Sequence, residues 1–412
     1  MPMPLAAAAL LALLAAPVPP RPAPPVRVQR INLDAFGWRH RPITGPGEGV
    51  WTPWTELAVD SRGRVLVGFT VPGPVRLAKR NHPNMRFRVL RFGSGDRPDL
   101  SLSIPTRRWQ NGVYVDDHDD IIVHADGKLQ ALVAPPARPG STGVWKTLAP
   151  CGPLCWVHES PSHRMLYVSN PQPYDPKASA ANVPQKILLL DRDRPANVRH
   201  CLVPPRVPVD SWLNFGVTDR FAYWNDDPGN VPSPLPVLYR WPLCDYPGAT
   251  VLPLTPWNSF MTVLSDRLFL FRPPDGNVVL YRPDGSVERR FRLKLGEHGA
   301  AGALLSRNGA RLAVDTITQR GGFPLFDVGT HVTKERLILI SAKDGDQLAS
   351  VPVKPVDRMN AFVLSPDGTR AAVLTWNSAE EVLTIVTVPR RSPSPAPKRR
   401  AASARRPARR RP

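Results

Sequence analysis

Between residues 50 and 388 the chain alternates short apolar runs with tight polar turns. One unit recurs: an apolar strand, a polar turn, then a second apolar strand. Its instances are ELAVDSRGRVLVGF (56–69), VYVDDHDDIIVH (113–124), WVHESPSHRMLYV (156–168), FGVTDRFAYW (215–224), MTVLSDRLFLF (261–271), LLSRNGARLAV (304–314) and FVLSPDGTRAAVL (362–374). With turns centred on Gly63, Asp119, His163, Asp219, Asp266, Gly309 and Gly368, the spacings are 56, 44, 56, 47, 43 and 59 residues, a mean of about 51. Third and fourth strands follow most units: RFRVLRF and LSLSI after the first, KILLLD (186–191) after the third, VLYRW (237–241) after the fourth. Two further segments, 277–293 and 336–353, each read as a pair of strands joined at Asp-Gly, a hairpin signal.

Repeats of roughly 40–50 residues with about four strands each predict an all-β chain folded as a single seven-bladed β-propeller of four-stranded blades. Seven similar units favour this over a pair of β-sandwiches. The turns LSPDGTRAAVLTW and LAVDSRGRVLVGF resemble the S-P-D-G and D-S-x-G-R turns of the bacterial β-propeller superfamily, with its WD-like, NHL-like and lactonase-type members. The resemblance covers most of residues 50–388, and such turns imply a fold and not a reaction. The last repeat supplies only three strands, and VRVQRINLD (26–34) is a lone strand before the first. We expect that stretch to complete the last blade, so that 26–388 forms one closed propeller.

The ends differ in kind. Leu5 to Ala16 is twelve residues of Leu and Ala, the length of a signal-peptide core and too short to span a bilayer. Residues 1–16 therefore predict export to the periplasm, the cell surface or the medium, although no Lys or Arg precedes the run and Pro17 follows it. Residues 17–25 are a Pro-rich spacer. Residues 389–412 carry ten Arg or Lys, no acid and no aromatic residue, and predict a disordered basic tail. That tail holds half of the chain's formal charge of +20. It would attract an anionic surface, lipid or polysaccharide; with nothing to stack on bases, sequence-specific nucleic-acid binding is not expected. No apolar run is long enough for a transmembrane segment. The composition agrees with a folded middle: 42% of residues are hydrophobic, while proline, at 51 of 412, is more than twice its usual share of about 5%.

In a propeller, the residues leading into the innermost strands surround one mouth of the central channel. Here they are polar in most repeats: Glu56, Asn111, His158, Asn214, Asn258 and Asn360. They are the candidate ligand site, for a small molecule or a protein. One carboxylate with Asn carbonyls is an oxygen set suited to Ca²⁺, which makes Glu56, Asn214 and Asn258 the candidate metal ligands; the lactonase-type resemblance implies a cation held in a similar way. The loops between second and third strands (70–85, 169–185, 225–235 and 316–334) are long and gather on the same face, where loops usually carry function.

Other motifs carry less. His158 and His163 enclose H-E-x-x-x-H, one residue too long for a zinc-protease helix and interrupted by Pro161. Asp116-Asp117-His118-Asp119-Asp120 lacks the Gly and terminal Glu of a calcium loop and reads as a solvated turn. No G-x-S-x-G, Walker or dinucleotide fingerprint is present. Cys151, Cys155, Cys201 and Cys244 allow three pairings, and export favours disulfides over a metal site. Cys151 with Cys155 could close a small loop, leaving Cys201 with Cys244. Together these features point to an exported propeller that binds a ligand or protein and is not an enzyme. The alternative is a metal-dependent, lactonase-like hydrolase with its site at the channel mouth.

Overall fold

The computed structural model describes residues 25–38, 41–43, 49–51, 55–71, 85–107, 111–151, 156–160, 162, 164–169, 186–191, 199–202, 215–226, 237–242, 250–252, 260–264, 267–272, 277–282, 286–292, 299–320, 331–353, 361–376 and 380–389. These form seven four-stranded antiparallel sheets and one two-stranded ribbon, Arg41–Ile43 with Gly49–Trp51. Sheet 1 is Thr55–Val59, Val65–Val71, Met85–Phe92 and Leu100–Thr106. Sheet 2 is Gly112–Val115, Ile121–Ala125, Lys128–Ala134 and Val144–Pro150. Sheets 3, 4, 5 and 6 start at Trp156–Glu159, Phe215–Val217, Phe260–Leu264 and Gly299–Leu305 and run in simple sequence order.

Sheet 7 is the exception. Its first three strands are Phe362–Leu364, Arg370–Trp376 and Glu381–Thr387, and its outermost strand, Arg27–Asn32, comes from the other end of the chain. The pairing is antiparallel and unbroken, from Arg27 opposite Thr387 to Asn32 opposite Val382. The single turn of 3-10 helix at Leu33–Phe36 follows, capped by the Asn32 side chain at the Asp34 amide and ended by Gly37 at φ +94°. It is the one helical element among the described residues.

The two faces of each sheet pack against different neighbours, which explains the nearly continuous apolar runs. In the first strand of sheet 1, Leu57 joins a core with Ile31, Leu33, Trp38, Leu374, Leu383 and Ile385. Its neighbour Ala58 points the other way, into a core with Val113, Val115, Ile121 and Val123 of sheet 2. Further cores join sheet 2 to Val157 of sheet 3, and sheet 6 to sheet 7. The first strands of sheets 1 and 2 lie side by side, as do those of sheets 3 and 4, 4 and 5, 5 and 6, 6 and 7, and 7 and 1.

The end of the first strand is marked by a buried short polar residue: Asp60, Asp116, Ser160, Thr218, Ser306 and Ser365. Each except Ser160 accepts hydrogen bonds from backbone amides of its own turn, for example Asp60 Oδ1 from Arg62 and Arg64, and Asp116 Oδ1 from His118 and Asp120. Such side chains nucleate tight turns by mimicking a backbone acceptor. The segment 116–120 is a turn with His118 and Asp120 exposed, as expected, but Asp116 is buried beneath it and Asp119 is bonded to sheet 1.

The 316–334 stretch also differs from the loop expected there. Arg311–Arg320 and His331–Ser341 continue as a paired ribbon past their flanking partners, helped by the β-branched Thr316, Ile317, Thr318, Val332 and Thr333, and the pairing shifts register between Thr318 and Gln319 before ending with Arg320 opposite His331. The rest of the four expected loops lies outside the described residues. Among the described residues no helix is long and apolar enough to cross a membrane.

Candidate functional site

Tyr114, on the first strand of sheet 2, lies within electrostatic reach of Glu56 and Glu159 on the first strands of sheets 1 and 3. Glu56 is the second residue of Thr55–Val59, and Glu159 the last of Trp156–Glu159. Tyr114 lies on the strand between them, in Gly112–Val115. Strand alternation sets Glu56 on the Ala58 face, toward sheet 2. Tyr114 faces sheet 3 with Val157, and Glu159 shares the Val157 face.

Gly112 makes room for the phenol. A Cβ on Gly112 would stand 2.4 Å from Tyr114 Oη and 2.9 Å from its Cζ, so the ring folds back over its own strand where a side chain is missing. Burial, then the Glu56 carboxylate, then the Glu159 carboxylate push the Tyr114 phenol well above its ordinary value. The group is thus a neutral hydroxyl between two acids. It can donate a hydrogen bond and offer a ring face, but it cannot serve as a base near neutral pH. Two carboxylates beside an aromatic ring attract a cationic group.

Of the residues expected at the mouth, Glu56 belongs to this trio. Asn111 stands beside it but is buried, and its amide is engaged with sheet 1. It donates to Thr70 Oγ1 at 2.8 Å and accepts from Thr106 Oγ1 at 3.0 Å. The His158 backbone pairs with Tyr167 in sheet 3. The His158 side chain, Asn214, Asn258 and Asn360 lie outside the described residues, and with Asn214 and Asn258 goes most of the expected metal set. Tyr114 and Glu159 were missed by the sequence reading. Glu159 sat inside the failed zinc motif, and Tyr114 looked like one more apolar strand residue. The signal that could have found Tyr114 is the Gly at i−2 on the same strand face.

Cys151 is fully buried and is not a free thiol. Cys155, Cys244 and the Cys201 side chain lie outside the described residues. Among the described residues, one group of three metal-capable side chains converges within 4.8 Å, at Asp116, Asp117 and His118. Asp116 Oδ1 is already engaged by two amides of its turn, and His118 Nδ1 lies 3.1 Å from Asp117 Oδ1.

No family model and no curated protein matches the sequence. Among solved structures, an oligogalacturonate lyase in complex with manganese aligns at TM-score 0.51 and 9% identity, over 88% of this chain and 98% of that one. That alignment spans nearly the whole of a propeller protein. The fold is a β-propeller. Two other propeller structures align less closely. Kluyveromyces lactis Hsv2 does so at TM-score 0.41 and 10% identity, over 81% of this chain and 98% of that one. A putative TolB from Agrobacterium tumefaciens does so at 0.39 and 13%, over 70% and 94%. At such identities the likeness carries the propeller architecture and no activity.

Proposed function

We propose that the chain is an exported, single seven-bladed propeller that binds a ligand or protein partner through a cationic group held along the first strands that line its channel. What supports this reading is the placement of two carboxylates on first strands either side of Tyr114, Glu56 near the entry end of its strand in sheet 1 and Glu159 at the exit end of its strand in sheet 3, both acting on the phenol. The seven sheets are its blades, and the pairing of Arg27–Asn32 with Glu381–Thr387 closes the ring. The Leu/Ala run at 5–16 supports export, and with it disulfides rather than metal at the four cysteines. The tail from 389 to 412 acts as a separate, purely electrostatic anchor to anionic lipid or polysaccharide.

The second reading is a metal-dependent, lactonase-like hydrolase, with Ca²⁺ or a similar ion on Glu56, Asn214 and Asn258. One specific point favours keeping it: the aligned lyase structure contains manganese. Elemental analysis of protein purified without chelator separates the two. The binding reading expects less than a tenth of an equivalent of calcium, manganese or zinc and unchanged folding in EDTA. A stoichiometric ion that is lost in the Glu56→Gln variant would establish the hydrolase reading instead.

A further inference from the structure

Glu381 is the most deeply buried acid at the junction of sheets 7 and 1, with 1% of its surface exposed. It begins the strand that receives Arg27–Asn32, one residue before Val382, which pairs with Asn32. Its Oε2 accepts a long hydrogen bond from Thr55 Oγ1, at 3.3 Å. Thr55 opens the first strand of sheet 1, and its face is the one that Leu57 turns toward sheet 7.

The groups around Glu381 are acidic. From the helical turn after the closing strand comes Asp34, whose Oδ1 is buried and makes no hydrogen bond among the described residues. Just before its strand comes Glu380, whose Oε2 accepts from Asn32 Nδ2 at 3.3 Å. Glu56 of sheet 1 lies on the opposite strand face to Thr55, turned towards sheet 2 and away from Glu381. Arg88, in the third strand of sheet 1, donates to the Phe36 carbonyl at the far end of the helical turn. A carboxylate at Glu381 would be desolvated among like charges, which is the unfavourable case for burying an ion.

We propose that Glu381 is a proton-held latch for the closing strand: protonated it seals the Arg27–Asn32 strand onto sheet 7, and ionised it loosens that strand first. The direction of its titration agrees. Burial pushes the carboxyl well above the usual carboxylate range; the Thr55 hydrogen bond opposes this and the Asp34 charge adds to it. The folded chain therefore holds this proton more tightly than the unfolded chain does. The resulting stability is complete below the unfolded value of about 4.3 and is lost as pH rises through the folded value. A protein exported into an acidified setting would gain a tighter ring.

The test is amide hydrogen exchange of Arg27–Asn32 from pH ~4 to pH ~9, corrected for intrinsic exchange rates, in the full chain and in Glu381→Gln. In the parent, the opening equilibrium of this strand should rise about tenfold per pH unit within the window between the two pKa values. Exchange in Ile121–Ala125 should stay level. Glu381→Gln, which keeps the shape and the Thr55 contact, should remove that rise. If this variant does not fold, Asp34→Asn serves: it lowers the folded Glu381 pKa, so the rise should start at the same pH and level off at a lower one. A strand whose opening is independent of pH in the parent, or equally pH-dependent in Glu381→Gln, overturns the latch.

Discussion

Asp119 in the first turn of sheet 2 accepts two hydrogen bonds from Ser61 in the first turn of sheet 1, one from the backbone amide at 2.7 Å and one from Oγ at 2.6 Å. The relationship recurs along the chain with different residues. Asp219 of sheet 4 accepts from Ser160 and Ser162 of sheet 3 at 2.6 and 2.5 Å. Asn308 of sheet 6 donates to the carbonyls of Pro366 and Asp367 in sheet 7. Arg370 of sheet 7 donates to the Gly93 carbonyl of sheet 1 at 2.7 Å, between sheets that meet through the two ends of the chain. These turn-to-turn bonds tie neighbouring sheets together outside their apolar cores.

Asp119→Ala should therefore lower unfolding free energy by about 1–2 kcal/mol, from two charge-assisted bonds at a partly exposed site. Asp119 also holds φ at +67°, a conformation that Asn tolerates and Ala does not. Asp119→Asn should accordingly lose less than half as much, since its amide can still accept from the Ser61 backbone and donate to Oγ. Chemical denaturation of the three proteins checks the order. Equal losses for Ala and Asn would mean that the contact contributes through charge alone.

Gly368 combines a left-handed backbone with close neighbours from the adjacent sheet. Its φ is +69°, and an added Cβ would stand 2.8 Å from Arg311 Cβ and 3.0 Å from Ser306 Cβ. Gly368→Ala should cost about 1–3 kcal/mol, combining backbone strain with displacement of sheet 6 from sheet 7. Gly95→Ala meets nothing within 4 Å and should change the melting temperature little. A Gly368→Ala protein as stable as the Gly95→Ala protein would show that the two sheets separate freely there.

The propeller was legible because its signal repeats. An Asp, Ser or Thr at the end of each first strand and an apolar run on either side recur seven times in the sequence, and the six described copies are buried at Asp60, Asp116, Ser160, Thr218, Ser306 and Ser365. The lone strand at 26–34 was placed beside the last repeat by counting strands, and in the structure Arg27–Asn32 pairs with Glu381–Thr387. The site was less legible for a physical reason. Residues leading into first strands look alike in sequence whether they face open space or a neighbouring sheet. Asn111 is spent on Thr70 and Thr106, which lie 41 and 5 residues away. Glu159 acts on Tyr114 only because separate strands align, and Asp34 acts on Glu381 across nearly the whole length of the chain.

The tail from 389 to 412 should bind anionic vesicles through charge alone. Raising salt from ~50 to ~200 mM should weaken binding of the full chain steeply, as screening shortens and counterions are released. A chain ending at residue 388 should keep its fold and not bind at either salt level. If that shortened chain binds the vesicles as tightly as the full one, the anionic site lies on the propeller and the tail has no part in it.

The central claim is that the first strands of sheets 1 to 3 take a cationic group through Glu56 and Glu159, with the neutral Tyr114 on the strand between theirs. Calorimetric titration tests it most directly, with agmatine as an organic cation and calcium chloride as a hard divalent ion. The account predicts that agmatine binds the parent and weakens with salt. It also predicts at least a tenfold loss, about 1.4 kcal/mol, in the Glu56→Gln/Glu159→Gln double variant, with calcium showing no stoichiometric binding. Agmatine binding that is unchanged in the double variant, or calcium binding that is lost in it, would contradict the account.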